Sequence, residues 1–511
     1  MITLTDYFST HNLLDKLQSK LQLAEGYELE FKESAESLPK SFWETYSSFA
    51  NTYGGYIVLG VSEKKEKIIG VDNPMKIKNE LFTSANNKNK VSINILSNDD
   101  VIEYTVDNKI IIVVHIRELS AGKKPLYLNG NPLNSYIRKN ESDCKITEED
   151  YRRFMRNAEN NIDGELLDDY ILDDLNPYSV LSFKNLMNNR EPDKNFMEMD
   201  NLSFLREMGI FRIDRHDDRK LKLTLAGLLF LGRLDAITQK VPHFHLDYIN
   251  KRGVSINRWR DRVSTGDITY PDLNLFEFYR IVRGKLRLTV EDKFELDEKS
   301  VRKPSSELDK ALREALANMI IHADYLDTKT SVKIVVDNLY YTFLNPGAMK
   351  ISKTQFFSGG HSEPRNNTLI QYFRRMGESE RAGTGGKEIL DIISKNKYRF
   401  PELTTNLEYT QLKLWCAIPA ETYEDLSEFA KVILEYFDKK INVKLSDIKN
   451  NTGLSEYYIR KAINELISKN LISCKGKGKA TRYYQTPSLI ETVDMANQLT
   501  EIIRNYPSVK K

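Results

Sequence analysis

The stretch EALANMIIHADY at residues 314–325 is the most informative motif of this sequence. Glu314 and Asn318 lie four residues apart, so on a helix they share one face, with His322 one turn further on. Apolar residues between them form a stripe that would bury the back of the helix against a sheet. A carboxylate, a carboxamide and an imidazole on one helix predict a site that holds a divalent ion beside a nucleotide phosphate.

Two further motifs follow in order: Asn345-Pro346-Gly347, and then RAGTGG at residues 381–386. Glycines let a loop bring bare N–H groups close to phosphates, which assigns that role to Gly383, Gly385 and Gly386. The three motifs together resemble the GHKL ATP-binding fold, in the divergent form found in bacterial RecG-like regulators. The resemblance implies that ATP and Mg²⁺ bind here, with Glu314 and Asn318 nearest the metal. It extends the nucleotide site to His322, Asn345 and Gly347.

Several features of this region leave alternatives open. The helix can equally be an amphipathic core helix with incidental polar residues, and His322 can form a buried hydrogen-bonded pair with Asp324. Most GHKL members have an adenine-reading Asp where this chain has Asn345, whose amide can still hydrogen-bond adenine. The sequence is compatible with ATP binding alone and with weak hydrolysis. Residues 365–367 resemble a family string near the pocket or its lid.

Length and composition limit the number of domains, the kind of binding surface and the location that can be expected. A chain of 511 residues exceeds a single core, and we expect domains at 1–160, 161–240, 241–420 and 421–511. A net charge of only +2 restricts any nucleic-acid surface to a local patch. The three cysteines match no zinc or redox spacing, and no apolar run reaches the length of a membrane span. These features favour a cytoplasmic protein.

The N-terminal domain contains an alternating strand at residues 27–32, with Glu30 and Lys32 expected on its outer face, and a helix at residues 41–51. Its strings EGYELEFK, SFANTYGGYIVLGVSE, KPLYLNG and YIRKN resemble the AlbA_2 (Schlafen) nucleic-acid-binding domain. Phosphate contacts need only positioned positive charge. The basic residues expected to supply it are Lys123, Lys124, Arg138 and Lys139.

Some Schlafen-type members cleave transfer RNA with three metal-holding acids, and the matching positions here are Glu25, Glu30 and Glu63. Three carboxylates can bind Mg²⁺ or Mn²⁺ and activate a water for phosphodiester attack. The third position holds Glu where the nuclease members have Asp, and the longer side chain shifts the metal. The favoured alternative is that Glu30 and Lys32 form structural ion pairs.

Residues 425–486 predict a winged helix: a helix, a glycine-centred turn, a recognition helix at residues 455–470 and a basic wing. Residues 161–240 predict a helical or winged linker. DNA contact would use the recognition helix in the major groove and the wing on the backbone, although many winged helices bind protein instead. The residues assigned to this contact are Tyr458, Arg460, Lys461, Lys475, Lys477, Lys479 and Arg482.

Together these features predict an α+β multidomain protein: an AlbA_2 domain, a helical linker, a GHKL-like α/β sandwich and a C-terminal winged helix. We expect it to bind DNA or RNA and ATP, as a transcriptional regulator or phage-defence component in which nucleotide occupancy modulates binding. The alternative is a metal-dependent endonuclease gated by ATP. A helicase is not favoured, because the sequence contains no GxxxxGK[ST] loop. Weak single sites favour a homodimer or higher oligomer.

Overall fold

The computed structural model places the chain in two compact units, Met1–Asn160 and Asn161–Lys511. It describes residues 29–62, 67–106, 108–139, 142–159, 161–253, 258–291, 307–379, 383–396, 398–417, 422, 426–437, 443–469, 471–475 and 481–485. Across that part of the chain, none of the helices is long and apolar enough to cross a membrane.

The first unit is built on a four-stranded sheet in the order β1-β2-β6-β5, in which β1 and β2 are parallel and the other pairs are antiparallel. A large apolar core lies on the sheet face that packs against the helices, and a smaller one lies on the opposite face. The strands are β1 (Leu29–Lys32), β2 (Gly55–Leu59), β3 (Val61–Ser62), β4 (Lys67–Ile68), β5 (Val101–Val106), β6 (Lys109–Ile116), β7 (Tyr127–Leu128), β8 (Asn131–Lys139) and β9 (Ser142–Lys145). The helices are α1 (Ser41–Asn51), α2 (Pro74–Asn86) and α3 (Glu148–Ala158).

The turn between α1 and β2 explains why this sequence needs a glycine there. Gly54 has φ +73°, and a Cβ at this position would lie 2.7 Å from the carbonyl oxygen of Ile116. Asn51, the last residue of α1, links the helix to two other segments: its amide donates to the carbonyls of Leu126, just before β7, and of Tyr136, in β8, each at 3.0 Å. The helix end therefore fixes β7 and β8 relative to the sheet.

The second unit contains a six-stranded mixed sheet in the order β14-β13-β15-β16-β18-β17, and a three-stranded sheet in the order β10-β12-β11. Its strands up to the end of this sheet are β10 (Leu166–Leu167), β11 (Phe211–Ile213), β12 (Leu221–Thr224), β13 (Leu246–Asn250), β14 (Asp261–Ser264), β15 (Val332–Val336), β16 (Tyr340–Pro346), β17 (Glu402–Thr405) and β18 (Tyr409–Trp415). The helices are α4 (Pro177–Arg190), α5 (Asn201–Glu207), α6 (Leu225–Leu231), α7 (Leu234–Lys240), α8 (Leu275–Glu291), α9 (Glu307–His322), α10 (Lys353–Ser358), α11 (Leu369–Met376) and α12 (Gly385–Lys395).

One hydrophobic core runs through residues 161–240 and 241–420, which were expected to be separate domains. Phe183 of α4 and Phe276 of α8 meet at 5.5 Å between ring centroids, and Phe230 of α6 contacts Tyr372 of α11 at 5.1 Å. Aromatic pairs of this kind are part of a packed interior rather than a loose domain contact. The linker region and the sheet region are thus joined through their cores.

The last described residues form a small body with its own core. It consists of α13 (Glu428–Phe437), α14 (Leu445–Thr452), α15 (Glu456–Ser468) and the antiparallel hairpin β19 (Ile472–Lys475) with β20 (Arg482–Gln485). Gly453, at φ +67°, separates α14 from α15. This order of elements agrees with the helix, glycine turn, helix and wing that the sequence predicts. The molecule as a whole is a mixed α+β, multidomain protein, as expected.

Candidate functional site

Helix α9 forms one wall of a cleft in the second unit. Its apolar residues are buried in the core, and Glu314 is only 7% exposed. The Asn318 amide nitrogen donates to Glu314 Oε1 at 3.1 Å, so the two side chains predicted to share a face are in contact. The Asn318 carboxamide oxygen remains to accept a hydrogen bond or ligate a cation.

The end of strand β16 forms a second wall. Asn345 is 6% exposed, and Gly347 follows it at φ +90°. A Cβ at Gly347 would lie 2.8 Å from a guanidinium nitrogen of Arg365 and 3.0 Å from the Cβ of Asp324. Only glycine fits this position because both the backbone angle and the space exclude a side chain.

The glycine-rich loop packs directly onto α9. A Cβ at Gly385 would overlap Glu314 Oε1, and one at Gly386 would overlap the Phe356 carbonyl oxygen. Gly383 has φ +82°, and a Cβ there would overlap the backbone of His361. The glycines therefore permit a close approach to all three neighbours. Gly385 and Gly386 begin α12, whose N-terminal N–H groups suit an anion.

These walls enclose a cleft of about 1070 Å³, including space open to solvent. Seven of the eight residues predicted for the nucleotide site line it, although they come from three distant stretches of the sequence: Glu314, Asn318, His322, Asn345, Gly383, Gly385 and Gly386. Gly347, the eighth, immediately precedes the lining residue Ala348. The cleft also contains apolar residues, among them Phe343, Leu403 and Leu412, which could hold a planar ring.

Burial and nearby positive charge lower the pKa values of two basic groups in the cleft. Burial lowers the pKa of His322 to about 4, with Arg365 and Lys350 acting in the same direction, so its imidazole is neutral at pH 7. Burial also lowers the pKa of Lys350, again assisted by Arg365. Lys350, His361 and Glu363 line the cleft but were not predicted as site residues. Their only sequence signal is that they flank the Asn-Pro-Gly and 365–367 strings.

Arg365 and Asn366 form hydrogen bonds with the backbone at the end of α9. Arg365 Nε donates to the His322 carbonyl at 3.1 Å, and Asn366 Nδ2 donates to the Ile321 and Ala323 carbonyls at 2.9 and 2.8 Å. The last carbonyls of a helix lack partners within it, and these side chains supply them. The prediction that residues 365–367 lie near the pocket agrees with this position. The Asp324 carboxylate accepts from the Leu326 N–H at 3.2 Å.

Residues on this wall fit a small divalent cation. Mg²⁺ is usually bound by one or two protein oxygens together with substrate phosphates and water. Glu314 supplies a carboxylate and Asn318 a carboxamide oxygen on the same helix face, beside the glycine-rich loop. When bound with a nucleotide, such an ion would neutralise phosphate charge at this end of the cleft.

A separate acidic group, Asp168, Asp214 and Asp217, brings three carboxylates together. The ammonium of Lys222 already lies among them, 2.8 Å from Asp214 and 2.9 Å from Asp217. A cation is thus supplied by the protein itself, which favours a structural role for this group.

The geometry around Glu30 differs from two predictions. Glu30 is 7% exposed rather than on an outer face, and it pairs with Lys32 at 2.6 Å and with Arg138 at 2.7 Å. Arg138, expected to contact phosphate, has a side chain only 2% exposed and also pairs with Asp143 at 2.8 Å. The sheet that contains β1 has an apolar core on each face, and the buried carboxylate of Glu30 needs these cations. The favoured alternative, a structural ion pair between Glu30 and Lys32, fits this geometry.

The other basic residues of the first unit divide into two kinds. Lys123 and Lys139 are exposed, whereas Lys124 donates to Glu118 at 2.7 Å and to the Thr52 carbonyl at 3.2 Å. Glu25 and Glu63, the remaining acids of the predicted nuclease set, lie outside the described residues.

The predicted DNA-reading residues are distributed over α15 and the hairpin. Tyr458 is stacked on Phe429 at 4.6 Å, Arg460 pairs with Glu456 at 2.7 Å, and Lys461 is exposed. Lys475 and Arg482 are register partners in the hairpin. Lys477 and Lys479 lie outside the described residues.

Three family models match the chain. Residues 25–147 match "Schlafen, AlbA_2", and residues 327–414 match "Putative ATP-dependent DNA helicase recG C-terminal". Residues 152–247 match "Domain of unknown function (DUF8451)". No match is found among curated proteins. The AlbA_2 and RecG-like resemblances read from the sequence motifs are thereby confirmed.

Solved structures give weaker likenesses. The DIP2311 protein from Corynebacterium diphtheriae is 14% identical, covers 93% of this chain and 99% of its own, and has a TM-score of 0.39. The N-terminal domain of a RecG-related protein from Nitrosomonas europaea is 25% identical over 26% of this chain and 92% of its own, with a TM-score of 0.21. TM-scores this low support no conclusion. The two matched families are the informative finding: the chain carries a Schlafen AlbA_2 domain and a RecG-type C-terminal domain, and is a nucleic-acid-related, ATPase-like protein.

Proposed function

We propose that this protein binds nucleic acid and Mg-ATP, and that nucleotide occupancy of the cleft changes its nucleic-acid binding. In a bacterial cell it would act as a transcriptional regulator or as a phage-defence component. The AlbA_2 and RecG-type domain matches support the two binding activities.

The observation that carries the proposal is the convergence on one cleft of Glu314 with Asn318, Asn345, and the glycine loop at 383–386. These segments are separated by roughly 30 to 40 residues of sequence, and the sequence motif of each one predicts nucleotide binding. If α9 were only a core helix with incidental polar residues, its polar face would not be expected to line an open cleft together with a glycine-rich loop and a second motif.

Each wall has a part in the proposed complex. Glu314 and Asn318 hold Mg²⁺ against the phosphates, and the glycine loop with the N-terminus of α12 donates N–H groups to them. Asn345 would contact the base through its amide. The neutral His322 donates or accepts a hydrogen bond without adding charge.

Nucleic-acid binding is assigned to the AlbA_2 domain, with Lys123 and Lys139 as exposed cations, and to the terminal helices and hairpin. Lys461 and the Lys475–Arg482 pair offer positive charge there. Because each surface has few cations, we include self-association as a homodimer or higher oligomer, which would double the contacts. A nuclease is not proposed, since Glu30 is engaged by Lys32 and Arg138.

Replacing Asn318 by Ala tests the assignment of the cleft. The change removes the carboxamide oxygen that completes the metal site and leaves the buried stripe of α9 untouched, so it should abolish Mg-ATP binding without unfolding the protein. Titration calorimetry of the full chain with ATP and Mg²⁺ measures the affinity, and circular dichroism checks the fold.

Asn338→Ala is the matched control. Asn338 is exposed in the turn between β15 and β16, where its side chain accepts from the Gly253 N–H at 3.2 Å, and it does not line the cleft. This variant should bind Mg-ATP like the wild type. Equal affinities in all three proteins would refute the assignment.

A further inference from the structure

Helix α11 and the residues just before it connect the cleft to the start of the second unit. At the cleft end, Arg365 Nη2 donates to the Ala348 carbonyl at 2.8 Å, in addition to its bond to His322. Ile370, in the first turn of α11, lines the cleft directly. Any ligand that moves His322 or Ala348 must therefore move Arg365 and the segment that carries it.

The other end of this segment is held by Asp163. Its Oδ2 accepts hydrogen bonds from the N–H groups of Thr368 and Leu369, both at 2.8 Å, and the residue is only 1% exposed. Asp163 lies in a single 3-10 turn, Ile162–Gly164, just after the boundary between the two units at Asn160 and Asn161. Hydrogen bonds to a charged acceptor are about twice as strong as neutral ones.

The flanks of α11 are fixed as well. Tyr372 donates to the Gly209 carbonyl at 3.0 Å and lies 3.3 Å from the Thr224 hydroxyl. Gly377, which ends the helix at φ +71°, lies against the guanidinium of Arg190, and a Cβ there would overlap it. These contacts lie at both ends and along one side of the 8-residue helix.

We propose that α11 transmits nucleotide occupancy from the cleft to residues 161–163, with Asp163 as the coupling residue. The inference rests on the proposed function, because the transmitted signal is ATP binding. A ligand shifts an equilibrium only through contacts that differ between two states, and here those contacts are with His322, Ala348 and Ile370. A displacement of these residues reaches Asp163 through Arg365 and the N–H groups of Thr368 and Leu369. The segment that receives it is the one that leads out of the AlbA_2 unit.

Hydrogen–deuterium exchange of the full chain, with and without saturating Mg-ATP, tests this coupling. In the wild type, ATP should slow exchange in the cleft segments and also at residues 161–167 and 366–372, by about tenfold, which is a typical allosteric coupling. In Asp163→Ala the slowing should persist in α9 and at residues 383–388 but fall to less than about twofold at 161–167.

Asp200→Ala is the matched control, because Asp200 also caps a helix in the same region, accepting from the Ser203 N–H at 2.9 Å, but makes no bond to α11. It should keep the wild-type response. Asp163→Asn retains one acceptor oxygen and should give an intermediate response, which decides the matter if the alanine variant does not fold.

The outcomes separate the inference from the proposed function. Calorimetry showing that the wild type does not bind Mg-ATP would remove the proposed function. ATP binding in the wild type and in Asp163→Ala, with equal slowing at residues 161–167 in both, would overturn the coupling alone. ATP binding with no slowing at 161–167 in the wild type would do the same.

Discussion

Two glutamates of this molecule, Glu30 in the first unit and Glu314 in the second, are buried to the same degree but have different surroundings. Each is 7% exposed, and each was predicted to be a metal ligand. Glu30 is bonded to the ammonium of Lys32 and the guanidinium of Arg138. Glu314 accepts from the amide of Asn318 on the wall of an open cleft.

The difference shows that burial alone does not indicate whether a carboxylate has a structural role or is available to a ligand. A buried charge must be paired or hydrogen-bonded, and Glu30 obtains this from cations that belong to the fold. Those cations would compete with any metal ion at Glu30. Glu314 obtains part of its stabilisation from a neutral amide, and it faces space in which an ion and a phosphate could sit. The same residue type at the same exposure therefore forms ion pairs within the fold in one unit and lines an open cleft in the other.

The largest effect is expected from Glu30→Ala. Removing one partner of a buried ion pair leaves Arg138 with Asp143 as its remaining carboxylate, and should destabilise the first unit by about 3 kcal/mol. Urea unfolding of the full chain, followed by hydrogen exchange of β1 and β2, measures the change. Glu36→Ala, which removes an exposed carboxylate on the same segment, should change stability by less than about 0.5 kcal/mol. Unchanged stability in Glu30→Ala, together with loss of a metal-dependent RNA cleavage, would reverse the contrast between the two glutamates.

A smaller effect, on binding rather than on folding, is expected from Gly385→Ala. The new Cβ overlaps Glu314 Oε1 and must displace this carboxylate or the loop, so Mg-ATP affinity should fall about tenfold or more. Gly284→Ala places a methyl group on α8 where nothing lies within 4 Å, and it should leave affinity unchanged. Calorimetry on both variants gives the comparison. Wild-type affinity in Gly385→Ala would separate Glu314 from the nucleotide site.

Local pattern and motif were enough to predict much of this architecture. The helix at residues 41–51 has the bounds that its spacing predicted, and the motif residues of the cleft lie around one space. Glu30 was misplaced because alternation assigns one face of a strand to solvent, whereas the sheet that contains β1 has an apolar core on each face. A period of two cannot distinguish an exposed charge from a buried one whose partner, Arg138, is 108 residues away.

The shared core of residues 161–420 and the position of α11 were also beyond local reasoning. Asp163 and Leu369 are 206 residues apart, and no spacing rule joins a carboxylate in a 3-10 turn to the start of a distant helix. Arg365 and Asn366 could be noticed as a string, but their partners are backbone carbonyls of α9, which carry no sequence signal. Tertiary contacts of this kind become visible only in the fold.

The smallest predicted effect concerns the pH dependence of stability at the cleft. Burial lowers the pKa of His322 to about 4, with help from Arg365 and Lys350, while the unfolded chain would have the ordinary value near 6.5. Between these values the unfolded state binds the proton and the folded state does not. This contribution to stability is therefore complete above about pH 6.5 and is lost as the pH falls toward 4.

His322→Gln removes this titration and keeps a polar side chain, so the fall in melting temperature between pH 7 and pH 4.5 should be smaller than in the wild type. His361→Gln is the control, because His361 also lines the cleft but is exposed, and its pH profile should match the wild type. Thermal unfolding at several pH values gives all three curves. Identical curves for His322→Gln and the wild type would mean that the imidazole is solvated. This result would contradict the neutral hydrogen-bonding role proposed for His322 in the cleft. A flatter curve would show that burial holds His322 in its neutral form in the folded protein, which is the state that the proposed uncharged hydrogen-bonding role requires.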